Sequence, residues 1–336
     1  MESTATQQQP GMPGSSASLL AAAGRLADLL RGGGSALADP DRRGHLRFEA
    51  DIHLRPLNRA AFPPAEAWAV DGGQAVVADA RCLQLVVARA ARVCFRRATC
   101  EVEDEGELRT WLLGGQENRA AAAGGLGLGI APEAAVDLNL LRDAEEWVAV
   151  DRCVEEAAPG ALVMVDGDLE TDWRIPPTWL AGLLERAAGR GVTIVAVTKR
   201  SSLARGGAPL LGGLEIEAAS TLGPRGLWWA LLARSRAGAH VVAARLDPDA
   251  RFAFRVDVSP EADPEEALAS LAALCDDAGF PGYPYPLTVA DRLAACPPWL
   301  RQDTWFELDD LLDRAGVPFE VRERAFADRH LLMERF

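Results

Sequence analysis

The sequence predicts an α/β protein in which one mixed β-sheet is flanked by helices, with helical extensions at both ends of the chain. Two apolar runs of strand length each end in Asp-Gly, at Trp68–Gly73 and Ala161–Gly167. The first run is followed by β-rich segments, and the second is preceded by a long amphipathic segment. The second run then opens a strand–helix–strand pattern with apolar strands, which is typical of a right-handed parallel crossover.

The N-terminal half is predicted to consist of a tail, a helix and an antiparallel meander. Residues 1–16 are rich in Gln, Pro, Gly and Ser, which predicts a disordered tail. Leu19–Leu30 has helical spacing of apolar residues, and the glycines after it predict a helix stop and a linker up to residue 44. The Ala- and Gly-rich segment Ala120–Gly129 is predicted to be a loop. The strands of the meander are predicted at Trp68–Val70, Gln74–Asp79, Cys82–Arg89 and Arg92–Val102.

The C-terminal half is predicted to alternate between strands and helices. A long helix at Val136–Ala158 precedes the strand that ends at Asp166, and an apolar strand ending at Thr198-Lys199 follows one helix later. A Gly-rich loop is predicted at Gly206–Gly213. Residues 45–300 form the main domain in this prediction, and residues 301–336 form a C-terminal helical extension. The remaining predicted elements are strands at Leu227–Ala233, His240–Leu246 and Arg251–Val258 and helices at Thr178–Ala188, Ala262–Ala278, Thr288–Ala295, Trp305–Arg314 and Glu320–Leu332.

The composition narrows the class of protein. Of 336 residues, 49% are hydrophobic and 25% are charged, as in ordinary soluble domains, and no apolar run is long enough to span a membrane. The six cysteines include no C-x-x-C pair and no zinc-ligand spacing, which predicts reduced thiols in a cytoplasmic protein. A formal net charge of −14 argues against a protein that coats nucleic acid. An enzyme with its basic residues in one channel remains compatible with that charge.

The two Asp-Gly tips are the strongest candidates for a functional site. A single Asp-Gly after a strand is usually a turn, but two of them in one sheet would bring Asp71 and Asp166 side by side. Such a pair of carboxylates repels itself unless a divalent metal neutralises it, so metal site and plain turns both remain open. Lys199 is the only lysine among 35 basic residues. It either contacts a phosphate or is there by chance.

The predicted order of elements is that of the ribonuclease-H-like fold. Antiparallel strands come first, followed by a helix, a parallel strand, a helix and another strand. In that fold, two neighbouring strands and the intervening helix each supply an acidic residue to a two-metal site. The strand acids would be Asp71 and Asp166. The helix acid would come from the predicted helix Val136–Ala158, where Glu145 lies nearer the edge of the apolar face than Glu146.

Four motifs in this order resemble the NurA nucleases, over roughly residues 45–300. The resemblance implies a manganese-dependent DNA nuclease, with magnesium as the alternative ion, of the 5′–3′ exonuclease and single-strand endonuclease type. It also implies a homodimer that binds single- and double-stranded DNA and works with a HerA-like hexameric ATPase in end resection and double-strand break repair. The motifs are Ala69–Gly73, Val165–Leu169, Ala196–Ser201, and Gly282–Leu287 followed by Ala290-Asp291.

The resemblance also implies roles for single residues. Asp71 and Asp166 match the metal ligands, Glu145 or Glu146 matches the helix acid, and Tyr283 matches a tyrosine near the active site. Asp291 stands where many members carry a histidine, and its carboxylate is still a suitable ligand for manganese. Lys199, at the end of its strand, is expected to contact a DNA phosphate.

Two other functions are compatible with parts of the sequence. Asp166–Thr171 resembles the first motif of haloacid-dehalogenase phosphatases, and Thr198-Lys199 would supply their phosphate-binding pair. Against a phosphatase, the motif follows four strands instead of opening the domain. The third hypothesis is a catalytically weak adapter of an ATPase ring, for which Gly73 in place of a more usual serine and Asp291 in place of histidine are the supporting features.

Overall fold

The computed structural model describes residues 17–31, 34–41 and 45–327. The predicted disordered tail lies outside these residues, as does the end of the last predicted helix. Within them, no helix is both long and apolar enough to cross a lipid bilayer. The helices are α1 (Ala17–Leu30), α2 (Gly115–Leu126), α3 (Leu138–Glu156), α4 (Pro177–Gly189), α5 (Leu210–Thr221), α6 (Pro264–Ala272), α7 (Tyr285–Ala294), α8 (Pro298–Arg314) and α9 (Phe319–Phe326).

The strands of the described chain form one large mixed sheet and one small sheet. They are β1 (Leu37–Ala38), β2 (Leu46–Phe48), β3 (Arg55–Pro56), β4 (Ala67–Asp79), β5 (Gln84–Arg96), β6 (Thr99–Asp104), β7 (Arg109–Leu113), β8 (Leu162–Asp166), β9 (Thr193–Thr198), β10 (Ala204–Arg205), β11 (Ala208–Pro209), β12 (Trp228–Ser235), β13 (His240–Arg245) and β14 (Phe254–Val258). The large sheet has the order β2-β12-β13-β14-β9-β8-β4-β5-β6, with β3 beside β12 and β7 beside β5.

The predicted fold class is confirmed by this sheet. β4, β8 and β9 are parallel neighbours, and β5 and β6 extend the sheet antiparallel from β4. This is the ribonuclease-H-like connectivity that the sequence predicts. The three C-terminal strands β12, β13 and β14 join the same sheet on the far side of β9, in antiparallel pairing. Their place in the sheet is a finding that the sequence pattern left undefined.

Helices cover both faces of the sheet because the central strands are apolar on both faces. On one face, α2, α3 and α4 pack on Trp68, Val70 and Val163. On the other face, α6 and α7 pack on Ala67, Ala69 and Met164. Even-numbered residues of β4 therefore face α3, and odd-numbered residues face α7. A third apolar cluster lies under α5, against β12 and β13.

Strand β4 corrects the prediction that Asp71-Gly72 closes a strand. The strand runs unbroken through Gly72 and Gly73, so that Asp71 lies near its middle. A side chain at Gly72 would collide with the carboxylate of Glu146 on α3, and one at Gly73 would collide with the carbonyl of Ala294 on α7. Both glycines are therefore explained by close packing on the two faces of the sheet and not by a turn.

Two predicted loops are wrong because they are largely helical. The Ala- and Gly-rich segment forms α2, in which Ala122, Ala123 and Leu126 are buried. Gly125 lets this helix approach the indole of Trp111, since a β-carbon there would lie 2.9 Å from the ring. The Gly-rich segment after β10 forms the short strand β11 and the first turn of α5, which buries Leu210 and Leu214. Apolar burial outweighs the low helix propensity of glycine in both cases.

The terminal helices are exposed. α1 has no buried residue, and leucines such as Leu20 and Leu26 are more than half exposed. α8 also has no buried residue, and its main contact with the large sheet is with β4. α9 packs on α8 through a T-shaped contact between Trp305 and Phe326, with ring centroids 5.4 Å apart. The predicted division into a main domain and two extensions stays a prediction.

Candidate metal centre

Two carboxylates meet because their strands are adjacent and parallel. Val70 of β4 pairs with Val165 of β8, so the next residues, Asp71 and Asp166, lie side by side. β8 ends at Asp166, whereas β4 continues for eight more residues. The edge of β4 beyond Asp71 therefore has no neighbouring strand on this side. Side chains from both faces of the sheet can converge on this opening.

A third carboxylate comes from α7. Asp71 points to the face that α7 covers, and the buried residues Leu287 and Ala290 anchor that helix on the sheet. Asp291 is the next residue of α7 after Ala290, and its carboxylate reaches the two strand acids. Asp71, Asp166 and Asp291 each offer an oxygen such that the three oxygens lie within 4.8 Å of one another. The three residues predicted as metal ligands thus lie together.

Burial and charge repulsion perturb Asp71. Its side chain is only 6% exposed, and its Oδ1 accepts a 2.7 Å hydrogen bond from the backbone N–H of Gly72. Burial and the neighbouring negative charge of Asp166 raise the pKa of Asp71 to about 7, against the opposing influence of Lys199. A cation at this position would restore full ionisation of the carboxyl group.

Lys199 lies in this acidic cluster. The end of β9 carries it next to Asp166, and its Nζ lies 2.7 Å from Asp166 Oδ2 and 3.0 Å from Asp291 Oδ1. Burial lowers the pKa of Lys199, but the hydrogen bond and charge of Asp166 outweigh burial, and the net pKa is raised. Its Nζ also lies 5.1 Å from the centroid of the Tyr283 ring. Lys199 is therefore a charged ammonium at the site.

Tyr283 is a buried aromatic residue next to Lys199 and the acidic cluster. It is 4% exposed and packs on Phe254, with ring centroids 5.6 Å apart. Burial, followed by the charges of Asp166 and Asp71, raises the pKa of the Tyr283 phenol far above its ordinary value. The phenol is thus neutral at every physiological pH. Gly282, with φ of 91°, makes the turn that leads into Tyr283.

The two candidate helix acids have different surroundings. Glu146 is 6% exposed, and its carboxylate packs directly on Gly72, the neighbour of Asp71. Glu145 instead makes a 2.7 Å ion pair with Arg109 of β7. Sequence reasoning placed Glu145 nearer the sheet from the edge of the apolar face. The structure brings Glu146 to β4, because the glycine at position 72 opens a space for it.

The charges that act on the pKa values of Glu146 and Glu145 also differ. Burial raises the pKa of Glu146 well above its ordinary value, and the negative charges of Asp143, Asp71 and Asp166 add to this effect. Burial also raises the pKa of Glu145, but the charges that act on it are Arg109, Arg152 and Glu107. Glu146 is therefore electrostatically part of the acidic cluster, whereas Glu145 belongs to the contact between α3 and β7.

Arg142 is a site residue that sequence reasoning missed. It precedes Glu146 by one helical turn, and its Nε lies 3.3 Å from Glu146 Oε1. The i, i+4 spacing of an arginine and a glutamate on one helix is a signal for such a pair. Its charge partly offsets the cost of burying the carboxylate of Glu146.

A buried arginine holds the loop after Asp166. Arg255 of β14 donates two 2.8 Å hydrogen bonds to Asp257, which in turn accepts a 3.1 Å bond from the backbone N–H of Leu169. Arg255 also lies 3.8 Å from Asp168 and 3.6 Å from Asp39. This network fixes the backbone just beyond Asp166. It was missed because its members come from three distant parts of the chain.

The residues present fit a divalent metal ion. Three carboxylates converge, one of them has a raised pKa, and Lys199 already makes ion pairs with two of them. Carboxylate oxygens are the donors that manganese and magnesium prefer. Asp71, Asp166 and Asp291 could therefore hold such an ion, with Glu146 beside them.

The surroundings of the Asp166–Thr171 segment do not match a phosphatase site. The strand order is ribonuclease-H-like, and β8 follows β4 in the sheet instead of opening a domain. The hydroxyl of Thr198 donates a 2.7 Å hydrogen bond to the carbonyl of Gly167, and Asp168 faces Arg255. The haloacid-dehalogenase hypothesis is wrong on the fold.

Comparisons with known proteins support the fold at the level of structure. No protein-family model matches the sequence, and no curated protein does. The NurA nuclease from Sulfolobus solfataricus aligns with a TM-score of 0.53 and 14% identity, over 89% of this chain and 95% of that one. A NurA structure with manganese aligns with a TM-score of 0.40 and 6% identity, over 71% and 87%. The catalytic domain of human endonuclease V gives a TM-score of 0.38 and 14% identity, over 90% and 100%. The chain therefore has the fold of the NurA nuclease from Sulfolobus solfataricus.

Proposed function

We propose that this protein is a metal-dependent nuclease that hydrolyses phosphodiester bonds in DNA. The observation that carries the proposal is the convergence of Asp71, Asp166 and Asp291 at the open edge of β4. The buried Glu146 lies against the same edge, from the opposite face of the sheet. Four acids around one opening are a poor binding surface for DNA without a metal ion, and a suitable one with it.

The residues of the site have different proposed roles. Asp71, Asp166 and Asp291 are the proposed metal ligands, with Glu146 as the helix acid of a two-metal site. When bound, manganese or magnesium supplies Lewis-acid activation of the phosphate and of the attacking water. Lys199 is proposed to bind a backbone phosphate oxygen, since its ammonium lies among the metal ligands and is partly exposed. Tyr283 remains neutral and walls the site off from water on the α7 side.

The finer proposals rest on the sequence resemblance. We propose manganese as the preferred ion, 5′–3′ exonuclease and single-strand endonuclease activity, and a homodimer. The partner would be a HerA-like hexameric ATPase, and the process DNA end resection in double-strand break repair at the nucleoid in the cytoplasm. The four motifs Ala69–Gly73, Val165–Leu169, Ala196–Ser201 and Gly282–Leu287 support this assignment by their order.

The adapter hypothesis is disfavoured by the preserved acids. A ring adapter without catalysis would have no need for two buried carboxyl groups at Asp71 and Glu146, because burying acids that repel each other destabilises the fold. Gly73 is explained without loss of function, since the carbonyl of Ala294 leaves no room for a side chain there.

The proposal is tested by digestion of labelled single- and double-stranded DNA with increasing manganese or magnesium. Wild-type protein should cleave only with the metal ion, and Asp71→Asn and Asp166→Asn should each lose cleavage by a factor of about 100 or more, because each removes a ligand. Metal binding by calorimetry should weaken in the same variants. Metal-independent cleavage, or near-normal cleavage by both variants, would contradict the proposal.

A surface control distinguishes loss of the site from loss of the fold. Asp249→Asn removes an exposed carboxylate that pairs with Arg225, far along the chain from the cluster. It should cleave as the wild type does. Hydrolysis of p-nitrophenyl phosphate without DNA cleavage would instead indicate a phosphatase.

A further inference from the structure

An exposed tryptophan lies in the loop that leaves the proposed metal centre. Trp173 follows Asp166 by seven residues and is 80% exposed, an unusual state for the largest apolar side chain. The loop that carries it is held in place on both sides. Asp172 donates its backbone N–H to Asp143 at 2.8 Å, and Asp143 lies one helical turn before Glu146. Trp173 is thus tied to the part of α3 that supplies the helix acid.

The indole of Trp173 is held by a rigid neighbour. The guanidinium of Arg174 lies 5.6 Å from the centroid of the indole ring. The Arg174 side chain is 7% exposed and makes ion pairs with Asp172 at 2.7 Å and with Asp137, the N-cap of α3, at 2.9 Å. A cation–π contact with so well anchored an arginine orders the ring before any ligand binds. The indole is therefore exposed but held in a defined orientation.

A cavity of about 400 Å³ opens beside this indole. Its floor is apolar and consists of the buried side chains of Ile175 and Leu180. Trp173, His45 and Arg236 also line the cavity. Its size lies within the range of small-molecule and nucleotide pockets. A flat apolar ligand fits this floor and wall better than a hydrated ion does.

The charges around the cavity suit a ligand that carries phosphate. Glu170 is paired with His45 at 3.0 Å, and Asp172 is paired with Arg174. Arg236 is exposed, and no carboxylate in the described part of the chain lies within 4.0 Å of its guanidinium. The acids at this cavity therefore already have partners, whereas Arg236 can still contact an anion. Arginine binds phosphate well because of its planar set of donors.

We propose that the Trp173 cavity binds an unstacked nucleobase of a single-stranded segment, next to the phosphodiester bond that is cleaved. The indole stacks on the base, and Arg236 contacts a phosphate of the same strand. This inference rests on the proposed nuclease function and specifies its substrate: a strand with at least one unpaired nucleotide beside the cleavage point. Base stacking on an aromatic ring tolerates any sequence, so the site selects single strands and not a base sequence.

The first test measures binding without catalysis. Fluorescence anisotropy of a labelled 15-nucleotide thymidine strand and of a blunt duplex is measured with wild-type protein, Trp173→Ala, Trp173→Phe and Phe62→Ala. Calcium replaces manganese in this measurement, because an oxygen-ligated divalent ion offsets the repulsion between the acids and DNA. Phe62 is a matched control, 83% exposed and before β4. Trp173→Ala should bind the single strand roughly tenfold more weakly, in line with the loss of one base–aromatic stack. Trp173→Phe and Phe62→Ala should bind like the wild type, and duplex binding should be the same in all four. Equal single-strand affinity in Trp173→Ala and wild type overturns the inference.

The second test uses strands with one abasic site. The abasic site is moved one nucleotide at a time along a labelled strand, and cleavage with manganese is followed at each bond. Wild-type protein should show one abasic position, at a fixed distance from the cut, that slows cleavage roughly tenfold. In Trp173→Ala this dependence should vanish, because no stack remains to be lost. The same dependence in both proteins contradicts the inference.

The outcomes separate the inference from the function on which it rests. If the protein cleaves DNA and Trp173→Ala changes neither binding nor the abasic scan, the stacking site is excluded and the nuclease function stands. If the protein does not cleave DNA but its affinity for single strands depends on Trp173, the nuclease function is excluded and the single-strand binding site stands. A wild-type protein that neither cleaves nor binds the strand contradicts both.

Discussion

At the scale of single residues, Asp71 is where function opposes stability. Its folded-state pKa is about 7, against an ordinary pKa of 3.8, because burial and Asp166 disfavour the charged form. In the metal-free protein this group stabilises the fold fully below pH 4. That stability is lost as the pH rises towards 7, because the carboxyl group must then ionise in a buried, negatively charged site.

Asp71→Asn should therefore make the metal-free protein more stable at neutral pH. Thermal unfolding in EDTA should show a gain on the order of 3 kcal/mol at pH 7.5, and little gain at pH 4. The variant should also lose the decline in stability that the wild type shows between about pH 4 and pH 7. With manganese present the order should reverse, since the wild type gains stability from a ligand that the variant binds poorly. Equal pH dependence of the two proteins in EDTA would contradict the assigned pKa.

The proximity of two candidate site acids could be predicted from the sequence, because it depends on a local pattern and on strand register. Asp71 and Asp166 each follow an apolar strand, and parallel register then puts them side by side without further information. Asp291 and Tyr283 were found only through the resemblance of their motif. Trp173 was missed because nothing in a single sequence distinguishes an exposed tryptophan from a buried one. Arg142 was missed although its i, i+4 spacing from Glu146 signals such a pair. The choice between Glu145 and Glu146 depended on a space above Gly72 that the sequence did not reveal.

At the scale of elements, α3 separates two adjacent glutamates by about one third of a turn. Successive residues of a helix point about 100° apart, so Glu146 faces β4 while Glu145 faces β7. Glu146→Gln should lower metal-dependent cleavage by a factor of about 100, because the variant removes an acid beside the proposed metal ligands. Glu145→Gln should retain cleavage and lose only the modest stability of its ion pair with Arg109.

The measurement is the cleavage rate at saturating manganese together with the thermal midpoint. Arg109→Ala serves as the control for Glu145, since it removes the same ion pair from the other side. It should resemble Glu145→Gln in both quantities. A cleavage loss in Glu145→Gln that exceeds the loss in Glu146→Gln would reverse the assignment of the helix acid.

Whole elements were predicted well where periodicity is strong and poorly where glycine is frequent. The long amphipathic segment became α3 nearly as predicted, and both apolar parallel strands were found. Glycine, in contrast, predicted breaks in β4 and loops at α2 and α5. In β4 the glycines serve close packing, and in the two helices apolar contacts hold the backbone helical despite them. Such long-range contacts are not encoded in local propensity.

At the scale of the whole molecule, the net charge of −14 opposes DNA binding. Beyond a Debye length of about 10 Å the mean field repels a polyanion, so diffuse attraction cannot bring long DNA to the site. The local cations Lys199, Arg142 and Arg236 act only once a strand has arrived. Delivery by a partner, proposed above to be a HerA-like hexameric ATPase, accounts for how a strand reaches an acidic protein.

The helix α1 is the best candidate for contact with that partner. It has no buried residue, and Leu19, Leu20, Leu26 and Leu30 are each more than half exposed. Apolar helical faces of this kind bind in the grooves of partner proteins. The chain that follows is held separately: Asp39 is buried beside Arg255, and Gly34 packs closely on Gly206. Removal of residues 1–31 therefore leaves these contacts in place.

We expect the protein without residues 1–31 to cleave short single strands at the wild-type rate, because the metal centre and the Trp173 cavity are intact. Co-elution with the ATPase should be lost, and digestion of long duplex in its presence should fall at least tenfold, since the strand is no longer delivered. A variant with Leu20→Ser, Leu26→Ser and Leu30→Ser should show the same loss without any deletion, and Arg25→Ser serves as its control. Wild-type co-elution of the truncated protein would exclude α1 as the contact. Processive digestion of long duplex by the full-length protein alone, at physiological salt, would contradict the need for delivery.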